Sequence, residues 1–326
     1  MPRNFIKDLT RQGQMVEDVF YVAEKQLLTT KGGKPYIRAQ LRDKTGDIDA
    51  RWWDVTKAAF EGMPTEGFYL VKGTVEIFKA QAQIRIEAGR PIDADSVDPA
   101  DFMPACPRDI DEMFADLKAL LDTVNEPHLK ALIDATIGDA ELADRIRRSP
   151  AAVRNHHAYL GGLLEHTLSM AQGADLLCGH YKELDRDMLL AGVLFHDIGK
   201  TVELICDIAF SYSDPGQLIG HLIQGVLMLE EKSAELAKAG NPVPEETLDL
   251  LRHMILSHHG EYEFGSPKLP MTAEAVVLHH LDNMDAKLQH MFLQFSDDAD
   301  PESRWTGWSR MLRGRIFKGP SQGSQG

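Results

Sequence analysis

The stretch LLAGVLFHDIGKTVEL, residues 189–204, sets His196 and Asp197 side by side at the end of an apolar run and follows them three residues later with Lys200. An imidazole, a carboxylate and an ammonium delivered to one place are groups that hold a cation and neutralise an anion. The same residue types recur in other helical segments: His166 in GGLLEHT, His221 in GHL, His258 and His259 in SHHG, and Asp282 in HLDNMDAK. Their order along the chain is H…HD…H…HH…D.

Any one of these histidines could be a surface or packing residue. Five helices that each interrupt an apolar face with a metal-ligating type are another matter, because burying that many polar groups costs several kcal/mol unless something coordinates them. A shared metal centre removes that cost. Neutral imidazoles with carboxylates suit a divalent transition metal such as Mn, Fe, Co, Ni or Zn, whereas Mg and Ca prefer all-oxygen cages. Lys200 is expected on the same helix face as the His-Asp pair, where it can neutralise charge on a phosphorus centre; its plain alternative is a lysine complementing a helix end. Asp285 lies three residues after Asp282 and competes for its role. His156 and His157 either contact phosphate at the cavity mouth or pack at a helix start, and His279 and His280 are similar. Gly161 and Gly162 are expected to let helices pack closely.

The elements that must position these groups fall into two parts. Residues 1–92 carry 15 Lys+Arg against 12 Asp+Glu, while the remainder carries 20 against 38, so a net charge of -15 conceals a slightly basic part and a strongly acidic one. In the first part, EDVFYVAEKQLLTT, the turn KGGK, PYIRAQLRD, the turn KTGD and IDARWWDV predict three strands. TKAAFEG has a short helical composition, and GFYLVKGTVEIFKAQAQIRIEAGRPI supplies two more strands. That order predicts an OB-fold barrel over 1–92.

Residues 93–107, with three prolines and four aspartates, read as a linker. From 108 to 318 apolar residues recur three and four apart, which predicts an all-α domain with its metal core at about 150–295. The fold class is therefore α+β multidomain. The stretch RWTGWSRMLRGRIFKG carries five basic residues after Glu302 and no acidic ones; it reads as a last packed helix, with binding of substrate or of a neighbouring subunit as the alternative. Residues 319–326 read as a disordered tail.

The chain is 326 residues long, 43% hydrophobic and 26% charged, which describes a globular protein. The best apolar run, MLLAGVLF, is far short of a membrane span, and the start lacks the apolar core of a secretory signal, so a cytoplasmic location is expected. Cys106, Cys178 and Cys206 form no CxxC pair and read as small apolar residues.

The H…HD…D order on a helical core, with HDIGK, resembles the HD-domain phosphohydrolase superfamily over about 150–295. The resemblance implies that His166, His196, Asp197 and Asp282 hold one metal, that Asp197 bridges to a second, and that His221 and His258 complete it. His259 joins that set, orients its neighbour or contacts substrate. Paired ions share and activate a water and stabilise both oxygens of a phosphoryl transfer. Asp197 and Lys200 are then the catalytic pair.

A barrel would add a groove that tracks a phosphate backbone while exposed aromatics stack on bases. Tyr36, Arg38, Arg51, Trp52, Trp53, Phe78 and Lys79 are the candidates, although successive strand residues face opposite ways, so only one of the two tryptophans can be a platform. The barrel-then-helices order, with TKGGKPYIRAQLRDKTGDIDARWWD and NHHAYLGGLLEHTLSM, resembles the YhaM-type 3'-to-5' exoribonucleases over nearly the whole chain. That resemblance implies a manganese-activated enzyme that uses a two-metal-activated hydroxide. It would remove nucleoside 5'-monophosphates from the 3' end of single-stranded RNA, with single-stranded DNA and a homo-oligomeric state left open. The alternatives are a nucleotidase or cyclic-nucleotide phosphodiesterase with a regulatory barrel, and a nucleic-acid-binding protein whose metal is structural; Lys200 argues against the last.

Overall fold

The structure is a computed structural model that describes the chain except residues 1–2, 31, 79–80, 99–100, 104–105, 153–158, 207–209, 297–302 and 320–326. Lys79, His156, His157 and the expected tail from residue 320 lie outside the described residues. The chain divides into two compact units at Cys106.

Alternation of apolar and polar residues, broken at two tight turns, builds the first unit. Strands β1 (Met15–Thr29), β2 (Pro35–Asp43), β3 (Gly46–Trp53), β4 (Gly67–Phe78) and β5 (Gln81–Ile92) close into a barrel in the order β1-β2-β3-β5-β4, with α1 (Lys57–Gly62) between β3 and β4. All pairs are antiparallel except β3 with β5. This is the five-stranded OB architecture expected from the strand order. Ile37, Ala39, Leu41, Ile48, Ala50, Val71 and Ile84 point inward and fill the barrel. The stretch read as a linker is packed past its middle: Phe102 is buried against Tyr21 and Phe68, and Asp101 pairs with Arg3 and Lys44.

The second unit is helical: α2 (Ile110–Leu121), α3 (Pro127–Ile137), α4 (Ala140–Arg148), α5 (Gly162–His180), α6 (Arg186–Phe195), α7 (Lys200–Glu203), α8 (Asp214–Leu218), α9 (His221–Lys238), α10 (Glu245–Ser257) and α11 (Ala273–Ser296). A small hairpin, β6 (Leu204–Cys206) with β7 (Phe210–Tyr212), follows α7. Aspartates cap several helices in the usual way: Asp109 on α2, Asp139 on α4 and Asp185 on α6 each accept backbone N–H groups of the first turn. Helix α6 is the centre of the unit, with every residue from Met188 to Phe195 buried.

The expected last helix is instead a β-hairpin, β8 (Trp305–Ser309) with β9 (Gly314–Phe317). Its buried residues, Thr306, Ser309 and Ile316, are too few and too widely spaced for a helix stripe. Thr306 Oγ1 accepts from Ile316 N at 3.0 Å across the pair.

Candidate active site

Five helices or helix ends converge on one point. Helix α5 carries His166, and α6 runs its buried residues up to His196, which is its C-cap. The apolar pattern predicts helix through Lys200, but the chain turns over residues 196–199 and restarts as α7. Gly199 explains the turn. A Cβ there would fall on the His221 carbonyl oxygen and 2.7 Å from Gly225 N, so only glycine lets this turn lie directly on the start of α9. Asp197 is thereby brought to His221. Gly161, at φ +82°, starts α5 where a side chain would strike Ile110.

Asp197 stands between two groups of ring nitrogens. On one side its Oδ2 is 3.4 Å from His196 Nε2 and 3.6 Å from His166 Nε2, and His166 Nε2 is 3.4 Å from Asp282 Oδ1. On the other side its Oδ1 is 3.5 Å from His258 Nε2 and 3.6 Å from His221 Nε2, and His221 Nε2 faces His259 Nε2 at 3.3 Å. His166, His196, Asp197 and His258 are all but fully buried. Lys200 Nζ donates to Asp197 Oδ2 at 2.6 Å.

The other nitrogen of each ring is already committed. Nδ1 of His196 donates to Val193 O at 2.7 Å, Nδ1 of His258 to Ile255 O at 2.7 Å, and Nδ1 of His259 to Phe264 O at 2.9 Å. A carbonyl only accepts, so these protons sit on Nδ1 and the Nε2 lone pairs point inward. His221 Nδ1 meets Glu203 Oε1 at 3.1 Å, and His166 Nδ1 meets Asp285 Oδ2 at 2.8 Å. Asp282 and Asp285 therefore do not compete: they stand on opposite nitrogens of one ring.

The Nε2 atoms of His166 and His196 face one another 3.2 Å apart, so a proton on His166 or a metal cation must stand between them. The buried Asp197 Oδ1 has no hydrogen-bond partner among the described residues. Oriented Nε2 donors, each backed by an acceptor on Nδ1, together with an orphaned carboxylate oxygen, are what a divalent transition metal requires. Two such donor groups are present, His166 with His196 and Asp197, and His221 with His258 and His259.

The electrostatics of the site agree. Burial opposes a charge on Asp197 and Asp282, yet Lys200 and His196 around the first and His166 beside the second hold both carboxyls well below the usual range. Burial also pushes His166 down, but the Asp282 and Asp285 carboxylates outweigh it and raise the ring to about 10, so a proton and a metal compete for this position. His258 is lowered to about 4 by burial and stays neutral. Burial lowers Lys200, and the Asp197 charge more than restores it, so the ammonium persists.

These groups open on a cavity of about 830 Å³ in the helical unit, whose lining includes Lys200, His221, His258, His259, His279 and Asp282. Residues that sequence reasoning did not select also line it: Glu203, Tyr212, Phe264, Lys287, Arg310 and Arg313. Glu203 could have been suspected from its place one turn after Lys200. Lys287 lies on α11 at the end of HLDNMDAK; the others come from β7, from the turn at Tyr262–Phe264 and from the β8–β9 connection, with no motif.

On the barrel, the register sets Tyr36 opposite Trp53 and Arg38 opposite Arg51, all on the outer face. The Tyr36 and Trp53 rings are 4.6 Å apart, and the Arg51 guanidinium lies over Trp53 and over the exposed Phe78. Arg38 is engaged by Asp49 at 3.4 Å. Trp52 packs against the barrel core, so its expected contact with a strand does not fit its orientation; Trp53 is the exposed one. Arg51 and Phe78 also border a groove of about 570 Å³.

A helical core with an H…HD…D ligand set defines a class, and residues 163–287 match the HD domain. The unit is a divalent-metal-dependent phosphodiester hydrolase built on that domain, joined to an OB-like barrel. The 3'-5' exoribonuclease YhaM of Bacillus subtilis (strain 168) is 34% identical over 290 residues, 86% of this chain and 90% of that protein. The 3'-5' exoribonuclease YhaM of Geobacillus sp. (strain WCH70) is 35% identical over 264 residues, 79% of each. The chain belongs to the YhaM 3'-5' exoribonuclease family. Among solved structures, the second OB-fold domain of replication protein A from Methanococcus maripaludis is 18% identical, covering 28% of this chain and 96% of that domain with a TM-score of 0.24. No helix among the described residues is long and apolar enough to cross a membrane.

Proposed function

We propose that the chain is a manganese-dependent 3'-to-5' exoribonuclease that shortens single-stranded RNA to nucleoside 5'-monophosphates using two metal ions. The observation that carries this reading is Asp197, buried between two groups of inward-facing Nε2 atoms with one carboxylate oxygen toward each. His166, His196, Asp197 and Asp282 hold the first ion. Asp197, His221, His258 and His259 hold the second. Two divalent cations so held supply a nucleophile at neutral pH and stabilise the attacking and leaving oxygens of a phosphodiester displacement.

The chain's own groups do the rest. Asp285 and Glu203 keep His166 and His221 oriented through Nδ1. Lys200 stays protonated and offers its charge to a phosphate oxygen in the cavity. Tyr36, Arg51, Trp53 and Phe78 offer stacking surface and positive charge to a single strand without reading its sequence. Direction and RNA as substrate rest on the relatives, both of which bear the name 3'-5' exoribonuclease.

The test is incubation of the protein with manganese and 5'-labelled single-stranded RNA beside an Asp197→Ala control. A ladder shortening from the 3' end, absent in the control, supports the reading. Intact RNA under conditions where a nucleotide or cyclic nucleotide is hydrolysed overturns it.

A further inference from the structure

The β8–β9 hairpin lies beyond the residues that match the HD domain, yet the connection between its strands lines the active-site cavity through Arg310, Met311, Leu312 and Arg313. The hairpin is fixed there. His290 of α11, two turns beyond Asp282, meets Ser309 Oγ at 2.9 Å, both residues are buried, and the same hydroxyl accepts from Leu312 N at 3.2 Å to shape the turn. A two-stranded ribbon is marginal alone, so this anchor decides where its tip points.

Two features of the tip call for an explanation. Arg310, Arg313 and the cavity-lining Lys287 make no ion pair among the described residues, although the acidic part of the chain has carboxylates to spare. Arg313 also has φ +52°, a left-handed conformation that an arginine adopts at a cost and a glycine would adopt freely. Arg310 and Arg313 thus reach the metal-donor cavity with their charges uncommitted to the chain's own carboxylates. Tyr212 and Phe264 line the same cavity with half-exposed rings.

Resting on the exoribonuclease reading, we propose that Arg310 and Arg313 grip the RNA backbone phosphate next to the scissile one, while Tyr212 and Phe264 receive a base. The cavity is then bipolar. Its acidic end holds cations, and its basic end holds the incoming strand in line with them. The hairpin is a positioning device, since it acts on the strand rather than on the reacting atoms.

Arg313→Gly is the decisive substitution, because it removes the charge and relieves the backbone together. If the arginine grips RNA, its loss raises KM for a short single-stranded oligoribonucleotide by roughly 10- to 100-fold, the worth of a charge-assisted hydrogen bond, while kcat changes less and Tm holds or rises. The slope of log KM against log salt falls by about 0.7 for the phosphate no longer neutralised. Arg304→Ala, which removes a charge from the same stretch outside the cavity, leaves KM unchanged. Equilibrium binding of the same oligonucleotide to Asp197→Asn protein, with and without Arg313→Gly, is read by fluorescence anisotropy. It separates the two claims: weaker binding with Arg313→Gly supports the grip even if the oligonucleotide is not the substrate. Unchanged KM, affinity and salt slope overturn the proposal, and so does a KM rise matched by Arg304→Ala.

Discussion

Asp285 is where the account of the metal site can be tested most sharply. Its Oδ2 accepts the Nδ1 proton of His166 at 2.8 Å and its Oδ1 accepts from Ser169 Oγ at 2.6 Å, so it fixes which nitrogen of His166 faces the centre. A hydrogen bond to a charged acceptor is worth about 1.5–3 kcal/mol, and losing a carboxylate behind a ligating histidine typically weakens metal binding about 10- to 100-fold. Asp285→Asn keeps the volume and one acceptor, and is expected near the lower figure; Asp285→Ala, which also leaves Ser169 without its acceptor, is expected near the upper. The assay is cleavage of labelled single-stranded RNA as a function of free manganese. The midpoint shifts upward by those factors, and saturating manganese restores most of the rate in Asp285→Asn. A midpoint within about twofold of the wild type refutes the orienting role. Activity lost at every manganese concentration in Asp285→Asn, with Asp282→Asn retaining it, refutes the assignment of the two aspartates.

Other consequences follow from single contacts. Gly199→Ala forces a methyl onto the His221 carbonyl. Overpacking of this kind costs about 1–3 kcal/mol, or roughly 3–10 °C in Tm for a unit this size, and manganese affinity should fall with it; an unchanged melting curve contradicts the close approach. Trp53→Ala removes a base-stacking surface worth about 1–3 kcal/mol and should weaken RNA binding without lowering Tm, whereas Trp52→Ala should lower the Tm of the barrel; the reverse pattern in binding and melting assays contradicts the assigned faces. The Asp139 carboxyl is held low by Lys232 and by the Leu142 N–H. Its contribution is therefore present above the unfolded value near 3.9 and lost as pH falls through the lower folded value. Asp139→Asn keeps the helix cap, should cost on the order of 1 kcal/mol at pH 7, and the difference from the wild type in urea unfolding should shrink as pH falls through the lowered folded-state value.

The barrel and the ligand residues were legible in the sequence for different reasons. Strands β1 to β5 follow from two-residue alternation closed by KGGK and KTGD, which is local information. The histidines and Asp197 stand out by residue type, because imidazoles and a carboxylate that end apolar runs demand a partner. What the sequence could not separate was decided by tertiary contact. Asp282 and Asp285 are three residues apart; the motif favoured Asp282 as the ligand, and the placement of His166 between them gives Asp285 its own role on the other nitrogen. The break after His196 was invisible, because the apolar periodicity runs through it and the cause, Gly199 against α9, is a contact with the segment beginning at His221. Arg310 and Arg313 carried no motif at all; they matter because Ser309 meets His290. The one local sign was the basic composition of the stretch.

Whether Asp197 joins two divalent ions can be read from anomalous diffraction at the manganese edge, with crystals grown in manganese. Two peaks flanking the Asp197 carboxylate are expected, one toward His166, His196 and Asp282 and the other toward His221 and His258. A single peak, or a second peak that does not touch Asp197, contradicts that bridging role.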